Sequence, residues 1–481
     1  MTRRPHAALQ IVLLLTGTAS LAACGTTAKP VRPIADFVPQ QWPAGAAYPA
    51  ASGTDMVGMT WQALATDAKM RHVIGEALIH NQDLAAAVAN VASARAQYRT
   101  QRSYQFPTLA ATGSASDQGN VLDGNSNTTG SGSSYAAQAG VSSFELDLFG
   151  RLHNLSRAAF AQYLATDSGA RSTRLSIVAE TARAYVALAA DRDRLTVAEE
   201  QVTSSRRTVT LNQDLHDQGL VSGSDVADSQ TVLAQAQSDV ASYTTQVAQD
   251  RNALELLTGH RLDDTTLPTS LKEIDDGLAV PAAGLSSAVL LSRPDVVEAE
   301  RQLEATGYNV AAARAAFFPK ISLTGALGLA STALSALFSG ASSIWSASAN
   351  ASLPILGGTN RGNLDYAIAQ RDYYLATYRK AAQTAYREVS DALARRGTIG
   401  RQRDAQQLLV ASSLRSYRIA DARYREGVDS FLTTLVSQRT LYSARQTQLT
   451  TILADLNNRI TLYQVIGADP SLAAPAAVTQ R

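Results

Sequence analysis

The residues best able to do chemistry are the histidines, and their spacing assigns them no shared task. Apart from His6 near the N-terminus, they are scattered along the chain, with no HExxH or other paired-ligand pattern, at His72, His80, His153, His216 and His260. The sequence also contains no Walker A, GxGxxG or GxSxG motif. No catalytic residue, cofactor or metal site is therefore predicted, and an enzyme is not expected.

One short motif, Arg293-Pro294-Asp295, could belong to an active site. A structural role explains it better, because proline is favoured in the first turn of a helix. An acidic side chain in that turn lies near the positive end of the helix dipole. We therefore expect a helix to begin at this motif, with Ser292 as its cap.

The N-terminal segment is typical of an exported protein. Arg3 and Arg4 precede the apolar run ALQIVLLLTGTASLAA, so a signal peptide is predicted over residues 1–23. The sequence LAAC that ends at Cys24 resembles a bacterial lipobox, which predicts lipid attachment at Cys24. The alternative is an unmodified thiol; Cys24 is the only cysteine, so a disulfide within the chain is impossible. By resemblance to lipoprotein sorting, Gly25 in place of Asp favours the outer membrane.

Composition excludes some function classes. The 481 residues carry a net charge of +1, which gives no support for nucleic-acid binding. Residues 24–60 are rich in Pro and Ala and are expected to form an extended arm. No later stretch contains about 18 consecutive apolar residues, so a membrane-spanning helix is not predicted there. If the protein crosses a membrane, strands must do so.

The chain contains an internal duplication. Three blocks recur at a spacing of about 210 residues. Residues 89–116 parallel 308–328, residues 144–166 parallel 353–377, and residues 215–237 parallel 423–445. We assign the first repeat to 61–260 and the second to 284–467, with a linker over 261–283 and a tail over 468–481.

Alternating polar and apolar residues predict strands over about 106–118, 134–148, 319–331 and 344–355. The alternation is least regular in the second of these. Strands of about ten residues are long enough to cross a membrane when tilted. Four strands cannot close a barrel, and open edges in lipid are costly, so other copies of the chain must complete it. The alternative is a soluble four-stranded sheet.

Two long helical hairpins are predicted, over about 151–258 and 359–466. The first long helix runs from Arg151 to Asp217, and its partner from Asn360 to Arg425 is expected to break only near Gly397 and Gly400. At about 1.5 Å per residue each spans roughly 100 Å. By themselves, these segments also fit an ordinary helical bundle or filament.

A glycine ends each long helix, Gly219 in the first repeat and Gly427 in the second. Ser222 and Asp225 then form a predicted capping box for the returning helix. In the second repeat Asp429 or Ser430 is expected to cap. Both turns are interpreted as αα-hairpins.

Several segments together resemble the outer membrane factor family of TolC-like channels, and most closely the lipoprotein branch that serves resistance-nodulation-division efflux pumps. The segments are LLSRPDVVEAERQL (290–303), AARAAFFPKISLTGALG (312–328), LPILGG (353–358), YREVSDALA (386–394) and RYREGVDS (423–430). The resemblance covers nearly all of the chain after Cys24. It implies an α+β membrane protein with no enzyme activity and no cofactor.

The resemblance also implies an assembly. Three chains would form a twelve-stranded β-barrel in the outer membrane of a Gram-negative bacterium, continued by a twelve-helix periplasmic α-barrel of coiled-coil helices. The partners implied are two further copies in a homotrimer, a periplasmic adaptor (membrane fusion) protein, an inner-membrane resistance-nodulation-division pump and outer-membrane lipid. The implied function is the exit channel of a tripartite efflux pump for small molecules.

The resemblance assigns roles to the two turns. Gly219, Ser222, Gly427, Asp429 and Ser430 would form tips that dock the adaptor. Tyr424 and Arg439 match positions that constrict the periplasmic end of the tube. Related channels commonly carry Asp three residues before that Arg, whereas this chain has Val436. The gate at Tyr424, Arg439 and Val436 is therefore expected to close by an apolar barrier more than by a ring of acidic charge.

Two other functions stay open from the sequence. One is a channel of the same fold that serves type I protein secretion. The other is a non-channel coiled-coil lipoprotein of the cell surface. The sequence identifies no substrate, because a shared exit tube leaves selection mainly to the pump.

Overall fold

The computed structural model describes residues 38–39, 41–49, 59–118, 132–280 and 287–472. Cys24, the predicted signal peptide and the end of the predicted tail lie outside these residues. The chain divides into two compact units. Among the described residues, one unit contains Asn90–Thr166 and Glu298–Tyr378, and the other contains the residues before Asn90, Asp167–Val297 and Arg379 onward.

The first unit contains an antiparallel sheet of four strands in the order β1-β2-β3-β4. The alternating sequence pattern predicted these strands, and the structure contains all of them. Leu327 on β3 lies opposite Ala139 on β2 and Trp345 on β4, which fixes the register. The bounds are β1 (Leu109–Gln118), β2 (Gly132–Leu146), β3 (Lys320–Ser331) and β4 (Ser343–Ser352).

The strand ends differ from the predicted bounds by a few residues. Residues 106–108 precede β1, because the Phe106 N–H bonds the Ser103 carbonyl in a turn that ends the preceding helix. In β2 the register shifts between Val141 and Phe144, with Ser143 at a φ of 52°. This β-bulge explains why the second strand alternates less regularly in the sequence, since a bulge adds one residue to one strand of a pair.

Helices account for most of the remaining described chain. The two long helices contain 67 residues each, and the two returning helices contain 36 each, as the internal duplication predicts. In chain order the helices are α1 (Trp61–Leu64), α2 (Ala68–His80), α3 (Gln82–Ser103), α4 (Arg151–Asp217), α5 (Gly223–Thr258), α6 (Leu271–Gly277), α7 (Pro294–Ala315), α8 (Thr359–Arg425) and α9 (Phe431–Ile466). Within the described residues, no helix is long and apolar enough to cross a membrane.

The expected break near Gly397 and Gly400 is wrong, because α8 continues through both residues. At Gly397 the glycine serves a close approach of two chain segments. A Cβ there would collide with the Ala47 carbonyl oxygen of the N-terminal arm. The arm therefore packs along α8, where the Arg401 guanidinium donates to the Ala46 carbonyl over 3.0 Å.

The main core of the second unit forms around the middle of α4. Tyr185 is buried there, and its hydroxyl donates to the Thr266 carbonyl over 3.2 Å. The predicted linker supplies part of this core, because Leu271 and Ile274 of α6 are buried in it. Each buried Leu or Ile contributes about 1.5–3 kcal/mol of hydrophobic stabilisation. This core packs the long helices together at a distance from their turns.

Candidate functional site

The turns between the long and returning helices have the same backbone geometry. Gly219 and Gly427 have φ of 73° and 71°, in the left-handed region that glycine adopts without strain. In the first turn the Leu220 N–H bonds the Leu215 carbonyl, and in the second the Val428 N–H bonds the Arg423 carbonyl. Both are Schellman motifs, which satisfy the last carbonyls of a helix.

The caps of the returning helices differ. Ser222 and Asp225 form the predicted capping box, with each side chain accepting from the other's backbone N–H. Ser430 occupies the corresponding position in the second turn, but its side chain makes no cap hydrogen bond. The reciprocal half of a capping box is also missing, because the residue three positions on is Thr433 and not a carboxylate.

Asp429 binds the end of α8 instead of capping α9. Its carboxylate accepts two hydrogen bonds from Arg423, over 2.6 and 3.0 Å. The hydrogen bonds from Arg423 hold the pKa of Asp429 below its ordinary value. Of the two predicted caps, Ser430 does occupy the N-cap position, but its side chain makes no cap hydrogen bond.

Apolar side chains are exposed at both turns. Leu220 is 67% exposed and Val428 is 60% exposed, at equivalent positions after the two glycines. On α9, Leu432 and Val436 continue this exposed surface one and two turns on, at 62% and 55%. Apolar patches on a protein surface commonly mark sites of contact with other proteins. Both turns thus present exposed apolar side chains at the ends of the long helices.

Tyr424 joins the second hairpin to the first. It is only 7% exposed and packs against Phe431 with a ring-centroid distance of 5.4 Å. Its hydroxyl donates to Asn212 Oδ1 over 2.6 Å, and the Asn212 amide donates to the Asp225 carbonyl over 3.1 Å. Burial, with a smaller effect of the Asp225 charge, raises the pKa of the Tyr424 hydroxyl. The phenol is therefore a neutral donor at physiological pH.

The structure separates Tyr424 from the other two predicted gate residues. Val436 and Arg439 lie on the exposed face of α9, three residues apart and therefore neighbours on that helix. Tyr424 lies between the hairpins, where its side chain reaches Asn212 rather than the exposed face of α9. Of the three predicted gate residues, Tyr424 is thus buried between the two hairpins, whereas Val436 and Arg439 lie on an exposed face of α9.

The Arg293-Pro294-Asp295 motif has a structural role, as expected. The predicted cap at Ser292 is not found. The helix α7 begins at Pro294, and Ser292 donates to the Val289 carbonyl inside a preceding 3-10 turn. Arg293 is buried and donates to the Asp295 and Glu388 carboxylates and to the Val465 carbonyl. It therefore fastens the start of α7 to α8 and α9. Ser292 does not cap this helix, because it lies one residue before the N-cap position and its hydroxyl donates to Val289 instead.

Comparison with known proteins identifies the family. A family model described as outer membrane efflux protein matches residues 73–260 and 285–468. The chain belongs to this family. The two matched segments coincide with the two structural copies, and the resemblance inferred from the sequence is confirmed. Outer membrane efflux proteins are channel components, which confirms that the chain is not an enzyme.

Relatives in this family are similar along most of their length. The chain is 40% identical over 439 residues to the probable efflux pump outer membrane protein TtgC of Pseudomonas putida, covering 89% of this chain and 90% of TtgC. It is 39% identical over 439 residues to a toluene efflux pump outer membrane protein of the same species, covering 89% and 90%. It is 35% identical to outer membrane protein OprJ of Pseudomonas aeruginosa, covering 92% and 91%.

Solved structures of outer membrane channels share the fold. The open state of the Neisseria gonorrhoeae MtrE outer membrane channel matches with a TM-score of 0.80 at 31% identity, covering 92% of this chain and 98% of MtrE. CusC matches with a TM-score of 0.79 at 33% identity, covering 92% of this chain and 99% of CusC. The predicted fold, a duplicated chain with four strands and long helices, is confirmed.

Sequence reasoning about this outer membrane efflux protein missed Asn212 and Phe431, which surround the Tyr424 ring and hydroxyl. Phe431 carried a usable signal, because an apolar side chain that opens a helix after a turn commonly packs back on the preceding element. The role of Asn212 could not be predicted from the sequence, since a single amide in a long polar helix resembles its solvated neighbours.

A pair of carboxylates lies between α4 and α5, away from the turns. Asp250 Oδ1 accepts from Gln246 over 3.1 Å, whereas Asp250 Oδ2 is buried with no hydrogen-bond donor among the described residues. Burial and the nearby Asp191 raise the pKa of Asp250 to about 6. The unfolded chain should release this proton near pH 3.9.

Asp250→Asn is therefore expected to stabilise the protein above pH 6. A carboxyl with a raised pKa stabilises the folded state fully below about pH 3.9, and this contribution is lost as pH rises through about 6. At pH 7.5 the amide removes a partly screened cost of about 1–2 kcal/mol. The thermal midpoint should rise at pH 7.5 and change little near pH 4.5. Asp228→Asn, on the exposed face of α5, should leave the midpoint unchanged at both values; an equal rise in both variants would contradict the assignment.

Proposed function

We propose that three copies of this chain form the outer-membrane exit channel of a tripartite efflux pump. The channel passes small toxic compounds, such as drugs or solvents, from the periplasm to the exterior. Family membership carries this proposal. Relatives named as antibiotic, solvent and toluene efflux pump outer membrane proteins support the substrate class.

The edges of the sheet support assembly with further copies. Strands β1 and β4 form the two edges, and both are exposed along their whole length within the chain. Apolar side chains on the sheet are also exposed, including Leu109, Leu327 and Trp345. In lipid, each unpaired backbone group costs several kcal/mol. Pairing of β1 with β4 of the next copy removes both edges, and a homotrimer of four-stranded sheets gives a twelve-stranded barrel.

The two turns are the proposed docking tips for a periplasmic adaptor protein. Each tip is a closed turn, because the glycine ends its helix in a Schellman motif that satisfies the last carbonyls. They also expose Leu220 and Val428 beside the polar Ser222 and Asp429. An adaptor with a helical hairpin of similar apolar and polar character fits such a surface. An inner-membrane resistance-nodulation-division pump supplies the energy, and lipid on Cys24 anchors the chain in the outer membrane.

The link between Tyr424 and Asn212 is the proposed closed state of the gate. It holds the end of α8 against the first hairpin, while Val436 and Arg439 face the constriction at the tip. Opening requires the second hairpin to move away from the first, which breaks the hydrogen bond and separates Tyr424 from the apolar residues around it. Binding of the adaptor and pump provides the free energy for this change.

The decisive experiment combines assembly, conductance and transport. We expect the detergent-extracted protein to have the mass of a lipidated trimer and to form ion channels in planar bilayers. Cells that carry the pump and adaptor should resist drugs or solvents only when this chain is also present. Copurification with an ATP-driven exporter instead would favour type I protein secretion. A monomer without conductance would refute the channel and favour a coiled-coil surface lipoprotein.

A further inference from the structure

Three side chains able to bind a metal meet at the end of α2, away from the turns. Glu76 and His80 lie one helical turn apart on α2, and His260 follows the end of α5. One ligand atom from each of the three lies within 4.8 Å of the other two. His260 Nε2 is 2.8 Å from Glu76 Oε2, and His80 Nδ1 is 3.3 Å from the same oxygen. Sequence reasoning found no metal site, because this cluster joins residues that are 184 positions apart.

The fold holds His260 beside His80 through two contacts. Gly259 has a φ of 72°, and a Cβ at that position would lie 3.1 Å from the His80 carbonyl oxygen. A side chain there would therefore be strained and would crowd α2. The buried Asn81 amide donates to the Leu257 carbonyl over 3.1 Å and fastens the same two segments. The imidazole rings meet edge to face with a centroid distance of 5.2 Å.

The surroundings of His260 direct its second nitrogen toward the cluster. His260 Nδ1 lies 3.1 Å from the Arg261 carbonyl oxygen. Without a metal ion, Nδ1–H donates to that carbonyl and Nε2–H donates to the Glu76 carboxylate. A metal ion displaces the Nε2 proton and binds the lone pair that this leaves, while Nδ1–H keeps its hydrogen bond. Histidines that bind metals commonly have this arrangement, because the outer hydrogen bond fixes the tautomer and the ring orientation.

We propose that Glu76, His80 and His260 bind one divalent transition-metal ion, of which Zn²⁺ is the best fit. Two imidazole nitrogens and one carboxylate oxygen are a ligand set that zinc accepts, whereas magnesium and calcium prefer oxygen alone. Bonds of about 2.0–2.1 Å in tetrahedral geometry place ligand atoms roughly 3.3 Å apart. The observed 2.8 and 3.3 Å are close to this spacing, so small side-chain movements complete the site.

The site is open to solvent, which gives the ion access and a position for a water ligand. The side chains of His80 and His260 are 48% and 39% exposed. A bound ion joins the end of α2 to the turn after α5, two segments that otherwise meet through few polar contacts. The ion thus cross-links two segments of the second unit. Because it binds the folded chain and not the unfolded chain, it raises the free energy of unfolding.

Zinc titration of the full-length protein tests the site directly. The protein is extracted in detergent without a polyhistidine tag, treated with a chelator and titrated with zinc chloride in a calorimeter. We expect one Zn²⁺ per chain and a rise in the thermal midpoint on zinc addition. His260→Ala and Glu76→Gln should each weaken binding at least roughly tenfold, since losing a direct ligand costs no less than losing an outer contact.

His153→Ala is the matched control, because it removes an exposed histidine of α4 outside the cluster. It should bind zinc as the parent does. Thermal midpoints measured with chelator present show that the variants fold, since exposed His260 and half-buried Glu76 contribute little without the ion. The proposal is overturned if the parent shows no saturable binding. It is also overturned if His260→Ala and Glu76→Gln bind zinc as tightly as His153→Ala.

Discussion

Replacing Tyr424 and Arg439 together with alanine is expected to open the channel at rest. In planar bilayers the double variant should show a resting conductance at least roughly tenfold above that of the parent, since each 1.4 kcal/mol changes an open-to-closed ratio about tenfold. Cells that carry it should become more sensitive to antibiotics that the outer membrane normally excludes. The measurement is resting conductance at matched protein amounts, together with drug uptake.

The expected size follows from the contacts of Tyr424. Truncation to alanine removes a buried ring that packs against Phe431 and Leu435, which costs about 3–5 kcal/mol in a well-packed site. It also leaves the carbonyl oxygen of the fully buried Asn212 without its 2.6 Å donor. An open state that has already lost these contacts is not destabilised by the change. The balance therefore shifts toward the open state.

Arg439 adds a separate effect. Its side chain is exposed on α9 beside Val436, which leaves the guanidinium available to a neighbouring copy of the chain. Arg439→Ala removes this exposed guanidinium, and with it a positive charge, from the proposed constriction. Because Val436 stays in place, the apolar part of the barrier is retained, so this single change should have the smaller effect.

Two single variants make the gate test specific. Tyr424→Phe keeps the ring and loses only the hydroxyl, so its conductance should lie between those of the parent and the double variant. Tyr243→Phe removes a hydroxyl that bonds Gln446 between the same hairpins, about 30 Å along α5 from the turn, and should change nothing. A double variant with parental conductance would remove Tyr424 and Arg439 from the gate.

Asp455→Ala is expected to destabilise the folded chain by about 3–5 kcal/mol, because it removes the Asp455 partner of Arg396 and leaves Asp275 alone to balance Arg403 and the buried Arg459. Asp455 is only 2% exposed and accepts hydrogen bonds from Arg396, Arg403 and Arg459, over 3.1, 2.6 and 2.7 Å. Heat resistance of the extracted protein should fall by several degrees, and the yield of assembled protein should fall with it.

The second carboxylate of this network joins the predicted linker to the helices. Asp275 of α6 accepts from both Arg403 and Arg459. Burial alone would raise the pKa of the Asp275 carboxyl, but hydrogen bonds and charges from the two arginines outweigh it and lower that pKa. Loss of Asp455 leaves two arginines with the single carboxylate of Asp275. It therefore also weakens the attachment of α6 to α8 and α9, which these residues form.

Glu200→Ala provides the control for Asp455→Ala. Glu200 pairs with Arg445 across α4 and α9 over 2.8 Å, but its side chain is 60% exposed. Exposed pairs contribute about 0–1 kcal/mol, so this variant should keep nearly parental heat resistance. Asp455→Asn should fall between the two, since it keeps the shape and loses the charge. Equal stability of Glu200→Ala and Asp455→Ala would show that the buried network contributes little.

Secondary-structure elements that depend on neighbouring residues are predicted accurately from the sequence. The first long helix was predicted from Arg151 to Asp217, where the structure has it, because a run without proline ended at a glycine suited to a left-handed residue. The capping box at Ser222 and Asp225 was predicted from spacing alone. Such features depend on residues within one or two turns, so the sequence displays both partners.

Rules of the same kind failed where a contact that the sequence pattern does not show decided the outcome. Gly397 was predicted to break α8, but it admits the N-terminal arm against an intact helix. Ser292 was predicted as a cap, but the helix begins two residues later, and buried Arg293 joins it to α8 and α9. At Gly397 the partner lies far away in the chain, whereas at Ser292 the competing acceptor is the nearby Val289 carbonyl of a 3-10 turn. The sequence pattern identifies neither partner.

The sequence by itself determined the duplication, the four strands and the long hairpins, because repeated blocks and periodic patterns record local structure twice over. Five segments that resemble a known family indicated the family. Only the tertiary structure decided that Tyr424 is buried against Asn212, that Asp455 gathers three arginines, and that His260 meets Glu76 and His80. These side chains interact across separate helices. Their interaction energies depend on distance and burial, and neither quantity can be read from the order of residues along the chain.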